Sequence, residues 1–244
     1  MDKLTVGIFS DLHLDIEGLN WFEYLDAPKK KKIDLWIIAG DVHPESEKRD
    51  EWFKYHFEGN VPVFFIMGNH DFWDGHEISS PEDYCKEIDI NGFKIAGAPL
   101  WTDLARDPMG WMLYTQTMND RKNMNSNWTE EFYNHHFKVQ RDYLLKSKAD
   151  IIVSHHLPSI RSVSENHRMW PNNVCYYTEL TPRVDFMDPK PLLWVHGHSH
   201  VKMDYVMNEK TRVINHARGY PHEYSAANFN PYTRYQPKIV TLVK

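Results

Sequence analysis

Leu4-Thr5-Val6-Gly7-Ile8-Phe9-Ser10-Asp11-Leu12-His13 sets the reading of the whole chain. Leu4–Phe9 is short, apolar and rich in β-branched and aromatic residues, and so reads as a buried strand. It runs straight into an acidic residue and a histidine. The same arrangement recurs four times. Leu35–Ala39 runs into Gly40-Asp41, and Val61–Met67 into Gly68-Asn69-His70-Asp71. Ile151–Val153 runs into Ser154-His155-His156, and Leu192–Val195 into His196-Gly197-His198-Ser199-His200. In open α/β sheets the ligand crevice lies outside the carboxyl ends of the strands. Strand ends that carry Asp, Asn and His at one such edge would converge on one site. Each piece is weak by itself, since Gly-Asp is a common turn dipeptide and a histidine pair can be satisfied within a core. Their joint occurrence, in order and always at strand ends, carries the functional signal.

Around these runs the remaining elements fall into place. Phe93–Ala98 and Lys238–Val243 read as further strands, and Asp204–Met207 with Thr211–Asn215 as a hairpin over Asn208–Lys210. Helices are expected over Gly18–Asp26, which ends before Pro28, and over Glu45–Glu58, between Pro44 and Gly59. A third, Thr129–Lys146, has Thr129 as N-cap with Glu130 and Glu131 behind it, and Tyr133, Phe137, Gln140 and Leu144 on one face. Strands alternating with helices, followed by antiparallel strands, make the class α/β, with a mixed sheet or two packed sheets and helices outside. The lysine run Lys29–Lys32 reads as a solvated loop. Asp103–Asn127 and Leu157–Pro191 are long stretches without assigned structure, of the kind that form lids or binding loops.

The chain has 244 residues, of which 41% are hydrophobic, enough for a packed core. No linker is visible, so one domain over 1–244 is expected. No apolar run approaches the roughly 18 residues of a membrane span, and the N-terminus turns polar too early for a signal peptide. Two cysteines, Cys85 and Cys175, without a C-x-x-C spacing, argue against a disulfide framework or zinc ribbon and fit a reducing cytoplasm. A net charge of −6 argues against bulk electrostatic binding to nucleic acid. Fifteen histidines stand out, since histidine is the commonest metal ligand.

Asp11, His13, Asp41, Asn69, His155, His198 and His200 offer oxygen and nitrogen donors and no thiolate. That mixture suits borderline ions: manganese first, with iron, zinc or nickel as alternatives. The donors are too many for one ion that must leave room for water. Two divalent ions about 3.5–4 Å apart, sharing a carboxylate, would use them economically.

The order D-x-H, G-D, G-N-H-D, H and G-H-x-H, from Asp11 to His200, resembles the calcineurin-like metallophosphoesterase superfamily. The resemblance implies a two-sheet β-sandwich of mixed strands flanked by helices, in four layers α/β/β/α, with a dinuclear centre at one edge. It implies that Asp11, His13, Asp41 and His200 hold one ion and that Asp41, Asn69, His155 and His198 hold the other. It further implies His70 beside the phosphate as general acid or electrostatic stabiliser, with Asp71 orienting its imidazole. Leu100–Asp103, Met118–Arg121, Ser154–Ser159 and Arg218–Tyr220 resemble a subgroup of small bacterial and phage cytoplasmic members. In that subgroup's pattern His216 is a departure.

The activity so implied is hydrolysis of a small or nucleotide-like phosphate ester, with a metal-bridging hydroxide attacking phosphorus directly. A phosphodiesterase or nuclease acting on nucleic-acid ends, or a non-catalytic scaffold on the same fold, are the alternatives. Candidate substrate contacts are His156, Arg218, Tyr220 and Trp101, and Arg161 and Arg168 could meet an anionic substrate from the Leu157–Pro191 loop. His135 and His136 are read as exposed helix residues and His196 as structural.

Overall fold

The computed structural model describes residues 1–16, 32–57, 61–220, 223 and 235–244. The helix expected over Gly18–Asp26, most of the lysine run, Gly59 and His222 lie outside the described residues. In chain order the strands are β1 (Lys3–Phe9), β2 (Leu35–Ala39), β3 (Val63–Ile66), β4 (Lys86–Ile90), β5 (Phe93–Ala98), β6 (Ile151–Ser154), β7 (Leu193–His196), β8 (Met203–Val206), β9 (Arg212–Asn215) and β10 (Lys238–Val243). The α-helices are α1 (Ser46–Phe57), α2 (Gly110–Thr117), α3 (Asp120–Asn123), α4 (Glu130–Lys146) and α5 (Thr181–Asp185).

The strands form two sheets, in the orders β10-β1-β2-β3 and β4-β5-β6-β7-β9-β8. Neighbours are parallel along β1-β2-β3 and along β5-β6-β7-β9. The edge strands β10, β4 and β8 pair antiparallel. The parallel strands are buried on both faces, which is why they read as continuous apolar runs rather than alternating ones. Leu35, Ile37, Ile151, Val153, Leu193 and Val195 pack between the sheets. Their neighbours face outward. Trp36 and Ile38 meet Trp52 and Phe57 of α1, while Ile152 and Trp194 meet Tyr133, Phe137 and Leu144 of α4. The result is the expected helix–sheet–sheet–helix sandwich. No helix among the described residues is long and apolar enough to cross a membrane.

Most strand boundaries match the sequence reading within two residues; β3 is shorter than expected, at Val63–Ile66. Strand β4 escaped that reading because Lys-Glu-Ile-Asp-Ile is a half-exposed edge and not a buried run. The two unassigned stretches are ordered. Residues 103–127 hold α2 and α3, and residues 157–191 hold three short 3₁₀ turns and α5. Thr129 caps α4 as expected, its side chain accepting from the Phe132 N–H. His136, read as exposed, is buried, with Nε2 3.1 Å from the Ser79 carbonyl, because the Pro81–Tyr84 turn packs over that side of α4.

The sheets approach closely at Gly97 on β5, where a Cβ would lie 2.6 Å from the Phe64 ring and from Ile66 Cγ2 on β3. A larger side chain there has to push β3 away. Gly97→Val is expected to destabilise the fold by about 1–3 kcal/mol, the usual scale of overpacking. Urea unfolding would show this as a lower midpoint at unchanged slope, and an unchanged midpoint would mean that Phe64 and Ile66 can move aside.

Candidate metal centre

The carboxyl ends of β1, β2, β3, β6 and β7 meet at one edge of the sandwich, and there the chain turns sharply. Asp11, His13, Asp41, His198 and His200 all have positive φ, between 46° and 70°. This left-handed region is uncommon for residues with a side chain, although Asp and His are among those that enter it most readily. Each such residue costs on the order of 1 kcal/mol and persists only where its surroundings over-determine it. Here the β1 and β2 loops are laced together: Asp11 N–H donates to Gly40 O (2.9 Å), His13 N–H to Asp41 O (3.0 Å) and Leu14 N–H to Val42 O (2.9 Å).

Asp71 supplies the rest of the constraint. Its Oδ2 accepts from the backbone N–H of Asp41 (2.7 Å) and Gly68 (2.8 Å). Its Oδ1 accepts from those of Val42 (3.0 Å) and His43 (3.2 Å), and the Arg49 guanidinium lies 3.6 Å away. The carboxylate therefore ties the β2 loop to the β3 loop and does not orient the His70 imidazole, as the resemblance had implied. Asp41 in turn accepts the His70 N–H on Oδ1 (2.9 Å), and Asp11 accepts the His198 N–H (2.9 Å).

The structure brings all seven candidate donors together. Asp11, His13 and His200 form one group and Asp41, His155 and His198 another, with the donor atoms of each within 4.8 Å of one another. Asp41 stands between them, its Oδ2 3.8 Å from His13 Nε2 and 3.3 Å from His155 Nε2. Asn69 Oδ1 lies 2.9 Å from His155 Nε2. His155 Nδ1 is 2.7 Å from the Ala39 carbonyl and donates to it, so Nε2 faces the cluster. His200 does the same through Nδ1 and Glu223, 2.8 Å away.

Several features fit divalent ions here. His13 and His200 bring their Nε2 atoms to 2.9 Å, and His198 Nε2 is buried without a hydrogen-bond partner among the described residues. Burial, reinforced by neighbouring imidazoles, holds His13 and His198 well below the usual histidine range, so their nitrogens keep the lone pairs a cation needs. Burial alone would lower His155 too, but the Asp41 carboxylate reverses this and holds it up at about 9. A cation would replace that proton. The glycines leave no slack, since a Cβ on Gly68 would fall 2.2 Å from Asp41 Oδ1.

His70 stacks on Trp73 with ring centres 3.5 Å apart, and its Nε2 lies 2.9 Å from the Tyr220 hydroxyl. Burial, and after it the charge of His155 and His200, pushes His70 down to about 3. Next to the donors lies a cavity of about 290 Å³ that Asn69, His70, Tyr220 and both long stretches help to line. Of the candidate substrate contacts only Tyr220 borders it. Trp101 is fully buried among Phe72, Trp128 and Tyr133. His156 is buried between Trp101 and His198. Arg218 is buried with Nη1 near the Leu12 and Gly219 carbonyls. Arg161 donates to the Val206 and Met207 carbonyls and stacks on Tyr205. Arg168 donates to the Val163 carbonyl. Trp101, His156 and Arg218 are thus packed away from the cavity, and Arg161 and Arg168, although exposed, bond to backbone carbonyls and do not line it. Sequence reading missed Glu223 altogether. Asp120 it met only within the subgroup-like stretch Met118–Arg121.

Asp71→Asn keeps the shape but presents an amide N–H₂ to backbone N–H donors. It is expected to cost about 2–4 kcal/mol, from lost charge-assisted bonds and donors left unpaired. Urea unfolding would show the loss of stability, and elemental analysis a reduced metal content. A variant as stable as the parent would mean that the loops hold themselves.

The chain matches the family model described as calcineurin-like phosphoesterase over residues 4–202. Among solved structures it is similar to the phosphopantetheinyl hydrolase PptH of Mycobacterium tuberculosis, at 17% identity and a TM-score of 0.63, covering 91% of this chain and 92% of that one. It is also similar to a dimetal phosphatase of Danio rerio, at 14% identity and a TM-score of 0.56, covering 99% and 92%. At such identities the likeness is one of fold. No curated protein matches the chain in sequence. The family match takes in every strand end that carries a donor, from Asp11 to His200. The chain belongs to the calcineurin-like phosphoesterase family and is a metal-dependent phosphoesterase.

Proposed function

We propose that the protein hydrolyses monoesters of phosphate whose alcohol is small and uncharged, at a centre of two divalent transition-metal ions. The observation that carries this reading is the paired donor groups Asp11/His13/His200 and Asp41/His155/His198, which share an edge with a cavity of about 290 Å³. Asp11, His13, Asp41 and His200 would hold one ion, and Asp41, Asn69, His155 and His198 the other. Ions bound there would lower the pKa of water towards neutrality and offset charge on the phosphoryl oxygens.

The residues of the chain do the rest. Asp71 fixes the loops that carry Asp41 and Asn69. Trp73 stacks on the His70 ring and holds it against the cavity. His70, kept neutral by its surroundings, offers the phosphoryl group a hydrogen bond in a site where such donors are effective because they need no reorganisation. Beyond the donors the cavity wall is aromatic and amide-bearing, with Trp73, Trp170, Tyr176, Asn119, Asn172 and Asn173. Arg161 and Arg168 are engaged elsewhere, and no Lys or Arg lines the cavity among the described residues. This composition favours a substrate with one phosphoryl group and a neutral remainder over a diphosphate or a polynucleotide.

A screen of the Mn²⁺-loaded protein tests the substrate class, with Asp41→Asn as the inactive control. p-Nitrophenyl phosphate and nucleoside monophosphates are expected to show kcat/KM at least about tenfold above bis-p-nitrophenyl phosphate, nucleoside diphosphates and single-stranded DNA, a difference of about 1.4 kcal/mol in transition-state binding. Preference for the diester would replace the monoesterase reading with a phosphodiesterase.

His70→Ala should retain its metal and lose roughly 10²–10³-fold in kcat, the scale of one preorganised donor. A neutral donor acts on the phosphoryl oxygens, so the loss should be similar for esters of p-nitrophenol and of simple alkanols. A loss that vanishes for p-nitrophenyl phosphate would make His70 the general acid instead.

A further inference from the structure

Asp120, on the four-residue α3, is fully buried although it carries a carboxyl group. Burying such a group is costly unless it is bonded. Its Oδ1 accepts from Asn69 Nδ2 at 2.7 Å and from the Trp73 indole N–H at 3.1 Å. The indole is only ever a donor, so Oδ1 accepts from it, and as a carboxylate oxygen or the carbonyl oxygen of the acid it can only accept from Asn69 as well. The Asn69 atom that faces it must then be the amide nitrogen. That settles an orientation which the amide's own shape leaves open. The carboxamide oxygen points the other way, to His155 Nε2 at 2.9 Å. The second arm of the same oxygen holds Trp73, whose indole stacks on His70 with ring centres 3.5 Å apart.

We infer that Asp120 is a positioning residue that turns the Asn69 oxygen into the donor cluster and clamps Trp73 against the His70 ring. The inference rests on the two-ion reading above and adds to it a residue from the stretch 103–127. Without Asp120 the Asn69 nitrogen loses the acceptor that anchors it, and a cation has to order the amide by itself. Partners behind a metal ligand act in this way, and their loss typically costs about 10–100-fold in metal affinity.

Calorimetric titration of the full-length, metal-stripped protein with Mn²⁺ tests this. The wild type should take up two ions. Asp120→Ala should weaken one of the two binding steps by about 10–100-fold and leave the other unchanged. Asn69→Ala should weaken the same step, and the double variant should be no worse than Asn69→Ala alone, because both changes remove one ligand. Asp120→Asn keeps an acceptor oxygen towards Asn69 and Trp73, and its new amide takes the place of Oδ2, whose neighbour is the Tyr114 hydroxyl, a group that can also accept. It should bind both ions within about threefold of wild type, which a loss of structure would not permit. If Asp120→Ala does not fold, Asp120→Leu fills the volume without an acceptor and should show the same single weakened step.

Three results would overturn the inference: both steps intact in Asp120→Ala or Asp120→Leu, additive losses in the double variant, or an Asp120→Asn as weak as Asp120→Ala. The last would mean that charge and not orientation matters. A wild-type protein that binds no Mn²⁺ would instead refute the two-ion reading itself.

Discussion

The Asp71 carboxylate accepts hydrogen bonds from four backbone N–H groups, those of Asp41, Val42, His43 and Gly68, and the candidate site depends on this arrangement. These donors belong to two loops that leave different strands of one sheet. A carboxylate can accept on both oxygens from several directions, and in a buried setting such charge-assisted bonds are the strong ones. The bonds place Asp41 between the two donor groups and bring Gly68 close enough that a methyl group there would strike the Asp41 carboxylate. His155 reaches the same point from the second sheet, anchored through Nδ1 on the Ala39 carbonyl of the first. The two sheets are thus joined at the site by polar bonds as well as by the apolar layer between them.

Stability has been given up locally for this geometry. Five of the donor residues sit at positive φ, and several buried ring nitrogens lack a partner among the described residues. A protein selected only for stability would replace them with glycines and apolar side chains. At the site this strain falls on the strand ends. The central parallel strands behind them are regular and largely buried, and this rigid support is what over-determines the loops. Metal binding would return part of the cost by giving His198 Nε2 the partner it lacks among the described residues.

The cavity has a different origin from the donor cluster. The cluster is made by strand ends, whereas the cavity adds to these ends residues 117–120 and the turns between β6 and β7. Asp120 links them, since α3 reaches from the wall to the Asn69 amide and the Trp73 indole.

While the layer order came only with the family resemblance, the sequence by itself determined nine of the ten strands and the candidate donor set. These are written in local patterns: apolar runs long enough for a strand, each followed at once by Asp, Asn or His. It determined much less about residues whose role depends on what lies opposite them. Trp101, His156 and Arg218 have the right chemistry for substrate contact and lie beside the motifs, yet packing buries them. Asp71 follows His70 in the chain but turns towards four N–H groups from two loops, and nothing local announces that. Glu223 and Asp120 reach His200 and Asn69 across separations of 23 and 51 residues. Only the tertiary structure decided these pairings, because a hydrogen bond between distant segments is set by how the sheets and loops pack and leaves no period or spacing in the chain.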